Sequence, residues 1–396
     1  MALFRPRIAH VIPSLDHGGA EQLLMRFVLA TQDRFDHRIF TLKRHLSTIG
    51  EALLTAGIPV TSVGLDSPVE AFGALRRLNK ILKTEAGGQN AADLVQGWLY
   101  HGNVAASLAA PYGLPVCHSI HATDYRLAPR EIGLFVSIHL NRLLARKAAA
   151  IIYCTGGARS AHEAHGFPKG PGIVVRNGVD TDRFAPRLDQ RHIMRAKLGL
   201  SADVPVVGYI SRYTRFKDTG NFAQTLAILR QTHPNIVAVA LGKGLGPDNG
   251  ELKALLDAHG VTQAVHLLGP RDNIAELHAA FDLVMLSSSD SEALPLSIIE
   301  AMASGLPVAA TSVGDLPELL AGLIVPVPPR DPKRLAALAD SLLLLSEAER
   351  TLLGARLRAR VEAEYGLPSV CEGFAQVYQH NMIPKTNKSM IKRKQT

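Results

Sequence analysis

Tryptophan, cysteine and long hydrophobic runs are all scarce in this sequence, and each scarcity removes a class of protein. The three cysteines, Cys117, Cys154 and Cys371, stand far apart without paired spacing. That excludes a disulfide scaffold, a zinc finger and a C-x-x-C redox motif, and leaves them as buried thiols in a reducing compartment. One Trp and 5% aromatic residues, with no recognised nucleic-acid motif, argue against a nucleic-acid binder despite a formal net charge of +8. The longest uncharged run, Leu94 to Thr123, is interrupted by His101, Asn103, Pro111, Gly113, Pro115 and His118, so no transmembrane helix is expected. MALFRPRIAHVIPS enters its first apolar strand without an h-region or a small-residue cleavage site. No secretory signal is therefore expected, and the expected location is the cytoplasm.

What is present is the material of a two-domain globular protein: 396 residues, 47% hydrophobic and 20% charged. The charge is unevenly spread. Residues 1–190 carry a net +6, residues 191–383 a net −3, and residues 384–396 a net +5 with no acidic side chain. A basic first half suits docking on an anionic membrane surface, although a solvated cationic face would show the same balance. The terminal KTNKSMIKRKQT is expected to be disordered.

Short apolar strands closed by Gly, Pro or Ser and followed by helical periodicity recur along the chain, the pattern of βαβ units and parallel sheets. The first series is IAHVIP (8–13), HRIFTL (37–42), IPVTSVG (58–64), ADLVQGW (92–98), LPVCHSIH (114–121), AIIYCT (150–155) and IVVRNGV (173–179). The polar stretch DTDRFAPRLDQRH (180–192) then reads as a linker. A second series comprises VPVVGYISR (204–212), NIVAVALG (235–242), AVHLLG (264–269), FDLVMLSSS (281–289), LPVAAT (306–311) and GLIVPV (322–327). The expectation is an α/β protein of two doubly wound parallel sheets: residues 1–190, residues 191–367, a final helix at 368–383 and a tail at 384–396. Ligands bind such sheets at the carboxyl ends of strands, so two facing sheets would enclose an interdomain cleft.

Four stretches carry candidate chemistry. Ser14-Leu15-Asp16-His17-Gly18-Gly19-Ala20-Glu21 leads from the first strand into a helix, where two glycines allow close backbone approach and the helix N-terminus offers free N–H groups to an anion. Arg212 and Lys217, five residues apart after the first strand of the second half, can converge on one diphosphate, although a solvated basic loop would contain the same charges. In SSSDSEALPLSIIEAM (287–302), Pro295 stands where a first helical residue should be and Gly305 closes the helix. Glu300 then lies among apolar neighbours and needs a partner. Glu292 precedes the helix, as a ligand contact or as a complement to its dipole, while the N–H groups of Leu296 and Ser297 can meet a phosphate or sugar oxygen. Asp290-Ser291-Glu292 could pass for a metal-carboxylate motif, but no second acidic cluster supports one. Tyr100-His101-Gly102-Asn103 and His118-Ser119-Ile120-His121 both follow strands and are expected to project into the cleft.

These residues fall in the order found in one family. Gly18-Gly19-x-Glu21, His121, Asn177-Gly178-Val179-Asp180 with Phe184 and Pro186, Arg212 with Lys217, and Glu292 with Glu300 resemble the pattern of the family-4 retaining glycosyltransferases from about residue 7 to 380. WLYHGN and VCHSIH are similar to segments of the enzymes of bacterial exopolysaccharide and lipopolysaccharide assembly. The resemblance implies the GT-B fold: two facing Rossmann-like domains, the acceptor held by the first and the nucleotide-sugar donor, a UDP-sugar by family frequency, by the second. The final helix would cross back onto the first domain. Arg212 and Lys217 would bind the diphosphate and stabilise its charge on leaving, Glu300 the ribose, Glu292 the donor sugar and its anomeric centre, His121 the transferred sugar, and Gly19 the phosphates. Gly18, His101 and Asn103 would contribute to the acceptor side. Retention without a protein nucleophile, no cofactor and no metal are expected, with a saccharide or lipid-linked acceptor at the cytoplasmic face of a membrane.

The sequence departs from the family pattern where Ala293 replaces a common glycine, where Gly314-Asp315 replaces a Gly-Gly pair, and where His121 replaces the arginine of some relatives. Two rival readings share the architecture, an inactive nucleotide-sugar-binding paralogue and a sugar-diphosphate epimerase. A hydride-transferring Rossmann enzyme is disfavoured, because Gly242-Lys243-Gly244-Leu245-Gly246 lacks the G-x-G-x-x-G spacing.

Overall fold

The computed structural model describes residues 5–16, 18–87, 92–122, 132–290 and 294–382. The chain divides into two compact units, residues 1–177 with 367–396, and residues 178–366.

Unit 1 alternates strands and helices in the order β1 (Arg7–Ile12), α1 (Gly19–Ala30), β2 (Asp36–Thr41), α2 (Thr48–Thr55), β3 (Val60–Ser62) and α3 (Ala71–Gly87). It continues with β4 (Leu94–Trp98), α4 (Leu99–Ala109), β5 (Val116–Ile120), α5 (Ile132–Leu144), β6 (Ala150–Tyr153), α6 (Gly156–Ala164) and β7 (Gly172–Val174). The strands form one parallel sheet in the order β3-β2-β1-β4-β5-β6-β7. β1 and β4 are buried almost throughout, as central strands covered on both faces must be.

Unit 2 follows with α7 (Arg191–Lys197), β8 (Val206–Ile210), α8 (Thr219–Thr232), β9 (Val237–Leu241), α9 (Gly250–Ala258), β10 (Val265–Gly269) and α10 (Ile274–Leu277). Then come β11 (Leu283–Leu286), α11 (Leu296–Ala303), β12 (Val308–Ala310), α12 (Leu316–Leu319), α13 (Pro332–Leu343) and α14 (Glu347–Tyr365). Its five parallel strands run in the order β10-β9-β8-β11-β12. The last helix, α15 (Leu367–Asn381), belongs to unit 1, where Phe374, Val377 and Tyr378 join Ile8, Phe27 and Trp98 in one core.

Two sequence expectations change. Residues 178–190, expected at the end of the first domain with a linker over 180–192, belong to the second unit. Val179 and Phe184 are buried in the core of unit 2, the Val179 N–H donates to the Tyr365 carbonyl at 2.9 Å, and the Asp180 carboxylate accepts from the N–H groups of Asp182 and Arg183. GLIVPV does not form a strand; it makes one bridge, Val327 against Thr311. Pro326 and Pro328 flank that residue and have no N–H to extend the ladder, and Val325 is exposed.

Helices α11 and α14 of unit 2 cross with almost no space between their backbones. α14 starts on a capping box, with Ser346 and Glu349 satisfying each other's N–H groups. Gly354 in its middle lies against Gly305, which follows α11 at φ +73°, and a Cβ on Gly354 would overlap the Gly305 carbonyl oxygen. Alanine should raise intrinsic helix propensity by about 1 kcal/mol at such a site. Here the collision is with backbone, so Gly354→Ala is expected to destabilise unit 2 by roughly 1–3 kcal/mol. Equilibrium denaturation checks the sign, and a stabilised variant would show that the helices separate at little cost.

Candidate functional site

In unit 2 the chain leaves β8 toward β9 and β10 on one side, while β11 and β12 lie on the other. The loops after β8 and β11 therefore diverge, and a crevice opens at the carboxyl ends of these adjacent strands. Residues 211–218 follow β8, and a network ties this loop to the end of β11. Ser287 Oγ lies 2.8 Å from the Lys217 carbonyl and 3.0 Å from that of Asp218, Tyr209 Oη donates to the Lys217 carbonyl at 3.2 Å, and the Ser289 N–H donates to the Phe216 carbonyl at 2.8 Å. On the other side the Tyr213 N–H donates to the Lys243 carbonyl at 2.8 Å. Gly242, at φ +134°, permits that approach, since a Cβ there would overlap the Ser211 carbonyl oxygen.

Within this frame the Arg212 side chain is exposed and makes no ion pair among the described residues. Lys217 ends a single 3-10 turn and is half-buried. Asp218 adopts the left-handed conformation at φ 47° and caps α8, its Oδ1 accepting from the Asn221 N–H at 3.2 Å. Across the crevice, α11 begins after Pro295, which is its N-cap rather than its first residue. The first-turn N–H groups of Leu296 and Ser297 have no intrahelical acceptor and point toward the helix N-terminus. Glu300 is buried in the second turn. A bidentate cation, a point-charge cation and a helix N-terminus at one strand edge are groups able to receive an anion. Glu292 and Ala293 lie outside the described residues, and Asp315 stands at the N-cap position of the short α12 after β12 without a side-chain cap bond.

Unit 1 has its own reversal between β1 and β4. Gly18 is the N-cap of α1 in extended backbone, Gly19 is the first helical residue, and the Glu21 carboxylate folds back over Gly18 where a Cβ would stand. At the end of β4, Leu99 is held at φ 62°, a strained value for a branched side chain. Gly102 then brings α4 against the Val11 carbonyl. His101 is on the exposed face of α4, and partial desolvation followed by the charge of Lys43 pushes its pKa below the usual histidine value.

His121 follows β5. Its ring stacks on Trp98 with centroids 5.3 Å apart and planes 8° from parallel, and Phe374 covers Trp98 at 5.5 Å and 22°. His121 Nδ1 donates to Asn177 Oδ1 at 3.1 Å, which leaves Nε2 as an acceptor with no partner among the described residues. Desolvation lowers its pKa to about 4, so the ring is neutral.

Trp98 is itself fixed by a directed chain of hydrogen bonds. Its Nε1–H donates to His10 Nδ1 at 3.1 Å, so the His10 proton sits on Nε2 and goes to His37 Nδ1 at 2.9 Å. His37 Nε2 donates to Thr31 Oγ1 at 2.9 Å, and the Thr31 hydroxyl to the Phe27 carbonyl at 2.7 Å. Every member is neutral, and burial keeps it so: His10 is held well below its ordinary value and His37 at about 4.

Two sequence-derived candidates are not presented at this edge. Asn103 is fully buried, its Nδ2 donating to the Ser119 carbonyl at 3.0 Å and its Oδ1 accepting the Ser119 N–H at 3.1 Å, so its amide joins α4 to β5. His118 lies inside β5 rather than beyond it, paired with Ser107 Oγ at 2.7 Å. His17 and residues 123–131 are outside the described residues.

Comparison with known proteins decides what carries these two edges. Residues 17–183 match the family described as Glycosyltransferase Family 4, and residues 190–356 the one described as Glycosyl transferases group 1. The chain belongs to these glycosyltransferases. It is 27% identical over 255 residues to the lipopolysaccharide core biosynthesis mannosyltransferase LpsB of Rhizobium meliloti, covering 64% of this chain and 69% of that one. It is 26% identical over 310 residues to the putative glycosyltransferase EpsF of Bacillus subtilis, covering 76% and 78%. The crystal structure of Anabaena HepE with UDP superposes at a TM-score of 0.81 and 23% identity over 94% of this chain and 100% of that one. WaaG, a glycosyltransferase involved in lipopolysaccharide biosynthesis, superposes at 0.71 and 17% over 94% and 99%. These likenesses establish the GT-B fold.

Sequence reasoning alone missed three residues that shape these candidate edges of the glycosyltransferase. Trp98 appears in the sequence only as the end of an apolar strand, Asn177 only as part of the NGVD motif, and Gly242 only as a failed dinucleotide fingerprint. The NGVD motif was the one available signal, since an Asn-Gly turn next to a strand end leaves an amide free to orient a neighbour.

The neutral histidines make the stability of the glycosyltransferase acid-sensitive. With the unfolded value near 6.5 and folded values of about 4 for His37 and His121, the unfolded chain binds protons that the folded one refuses. Their favourable contribution is complete above pH 6.5 and is lost as pH falls toward 4. Thermal unfolding is expected to show a melting temperature that drops steeply across that window; a flat profile from pH 7 to 4 would mean that these rings protonate without cost.

Proposed function

We propose that this glycosyltransferase is a retaining enzyme that transfers a hexose or N-acetylhexosamine from a UDP-sugar to a saccharide or lipid-linked acceptor in cell-surface polysaccharide assembly. The observation that carries this reading is Arg212, an exposed guanidinium without an ion-pair partner among the described residues, set at the strand edge beside the N-terminus of α11. The neighbours support the donor and the pathway: HepE has been crystallised with UDP and with UDP-glucose, and LpsB is a lipopolysaccharide core mannosyltransferase.

In this reading Arg212 and Lys217 take the diphosphate, with the Leu296 and Ser297 N–H groups and the Gly19 backbone adding donors. The C1–O bond to the β-phosphate breaks with its electron pair on the phosphate oxygen, and the two cations stabilise that charge more in the transition state than in the ground state. The acceptor oxygen bonds to C1 on the same face while its proton passes to the departing phosphate oxygen, so the configuration is retained without a protein nucleophile. Glu300 holds the ribose hydroxyls and Glu292 the positive anomeric centre. His121 Nε2, a neutral acceptor, takes a sugar hydroxyl, and Gly18 and His101 contribute to the acceptor side. Two fixed cations supply the charge that a metal ion otherwise would.

The lipid-linked acceptor and a peripheral membrane position draw support from α5. Ile132, Phe135, Val136, Leu140 and Leu143 are exposed along one of its faces, and Arg146 and Lys147 follow in the next turn. This is the composition of an interfacial helix. Among the described residues no helix is long and apolar enough to cross a membrane.

Two experiments test the reading. With EDTA present, UDP is expected to bind and Arg212→Ala to weaken it about 10- to 100-fold, the range for a charge-assisted bidentate contact. Proton NMR of the transferred sugar should show the anomeric configuration of the donor. An inverted product, a chelator-sensitive reaction or turnover of the donor without acceptor would each overturn part of the proposal. Separately, Phe135→Asp with Val136→Asp should abolish sedimentation with anionic vesicles and leave UDP affinity unchanged; wild-type protein that ignores anionic vesicles would remove the membrane role.

A further inference from the structure

The strain at the end of β4 is not offset by anything unit 1 gains for its own fold. Among the described residues other than glycine, three have φ in the left-handed region: Asp218 at 47°, Arg330 at 59° and Leu99 at 62°. Aspartate visits that region with a local hydrogen bond to help it, whereas a branched apolar residue meets the clash of its Cβ with no such help.

What forces the turn lies on either side of it. Trp98 is held by its bond to His10 and its stack on His121, and the Tyr100 hydroxyl lies 2.6 Å from His162 Nε2. Gly97 and Gly102 let α4 close on the sheet, since a Cβ on Gly97 would overlap Asn103 and one on Gly102 the Val11 carbonyl oxygen. The chain must therefore pass from extended Trp98, at φ −122° and ψ 129°, into α4 within one residue. Glycine makes such a turn without strain, and asparagine at small cost. These constraints explain the conformation but not the leucine.

The cores do not explain it either. Leu99 is half-buried, and among the described residues neither hydrophobic core of unit 1 includes it as a member or as a side chain packed against one. Strain kept at a position where the fold gains nothing points to function.

The place of Leu99 in the sheet says what kind. The helices after β1 and β4 leave to opposite faces, α1 into the core that holds α15 and α4 into the one that holds α3. A crevice opens between the ends of these two adjacent strands, where sheets of this kind take ligands. The apex residue of a strand–turn–helix elbow carries its side chain out past the end of the sheet, and here that residue is Leu99. His101, exposed two residues on, can donate to or accept from a hydroxyl. An apolar branch beside a polar ring suits a ligand that has both a C–H face and hydroxyls, as a pyranose does.

We propose, resting on the reading of this chain as a transferase with a saccharide acceptor, that Leu99 is a binding residue for that acceptor. Its side chain lies on the C–H face of a hexopyranose ring at the crevice between β1 and β4, and His101 takes a ring hydroxyl.

Calorimetric titration of the full chain with 4-nitrophenyl β-D-glucopyranoside as the probe hexoside tests this, with 4-nitrophenol as the control for its aglycone. Saturable binding is expected for the wild type, and at equal affinity for Arg212→Ala, whose change lies in unit 2. Leu99→Gly and Leu99→Asn should each bind at least fivefold more weakly, with melting temperatures at or above that of the wild type because both residues accept the left-handed turn. Leu99→Met keeps an apolar side chain and should stay within twofold. Absence of hexoside binding to the wild type overturns the assignment, and so does undiminished binding by Leu99→Gly. A melting temperature that falls in both Leu99→Gly and Leu99→Asn would show that the leucine serves the fold instead. 4-Nitrophenol bound as tightly as its glucoside would overturn the sugar contact. UDP affinity of the same proteins separates the two readings: hexoside bound through Leu99 without UDP removes the transfer reading alone, and UDP bound without hexoside removes the role of Leu99 alone.

Discussion

The hydroxyl of Ser287, set against the carbonyl oxygens of Lys217 and Asp218, holds the carboxyl edge of the unit 2 sheet in one geometry. A strand-end loop that carries three cations, Arg212, Arg215 and Lys217, repels itself and, left alone, would spread into solvent. Here its backbone is fastened on both sides, by β11 through Ser287 and Ser289 and by the loop after β9 through Lys243. The glycine at 242 and the left-handed Asp218 are consequences of that fastening, because two loops can meet backbone to backbone only where no Cβ intervenes and where the chain turns sharply into α8. The charge is thus placed by neutral contacts.

Unit 1 solves the corresponding problem with rings. His121 has no charge to offer, and its usefulness depends on orientation. One face is covered by Trp98, Nδ1 is committed to Asn177, and the one direction left to Nε2 is set by both. Trp98 in turn cannot rotate without breaking a hydrogen-bonded series that runs through His10, His37 and Thr31. Such a series has a single consistent proton arrangement, and a neutral histidine needs that definition because its two nitrogens otherwise exchange roles.

Much of the fold is legible in the sequence because a parallel strand buried on both faces must be a short apolar run, and its ends must be marked by Gly, Pro or Ser. What is not legible has particular causes. GLIVPV has the composition of a strand, but its prolines remove the ladder donors on either side of Val327, and only the pairing partner shows how little remains. Residues 180–192 look like a linker because they are polar and aperiodic, yet Phe184 among them and Val179 just before them suffice to bind the segment to a core. At the candidate site, the placement of Arg212 and Lys217 after a strand end and of Glu300 inside an apolar helix is legible, because charge in such positions needs a reason. Asn103 fails the same reasoning, since an amide can be as useful between a helix and a strand as before a ligand. Trp98 and Gly242 act through shape, and shape has no motif.

Net charge was a poor guide to where anions can bind. Residues 191–383 are net acidic, and yet the candidate anion site of unit 2 lies within them. The reason is that acid groups are spent locally. Asp282 answers three arginines at once, Asp218 and Asp331 cap helices, and Glu349 closes a capping box. Each is withdrawn from the surface field by a specific partner at hydrogen-bond distance. What an anion can meet at the carboxyl edge is therefore the exposed Arg212 and a helix N-terminus. A field that follows from the residue left over after pairing can oppose the sign of the whole domain, because Coulomb attraction at a few ångströms outweighs a screened excess spread over the surface.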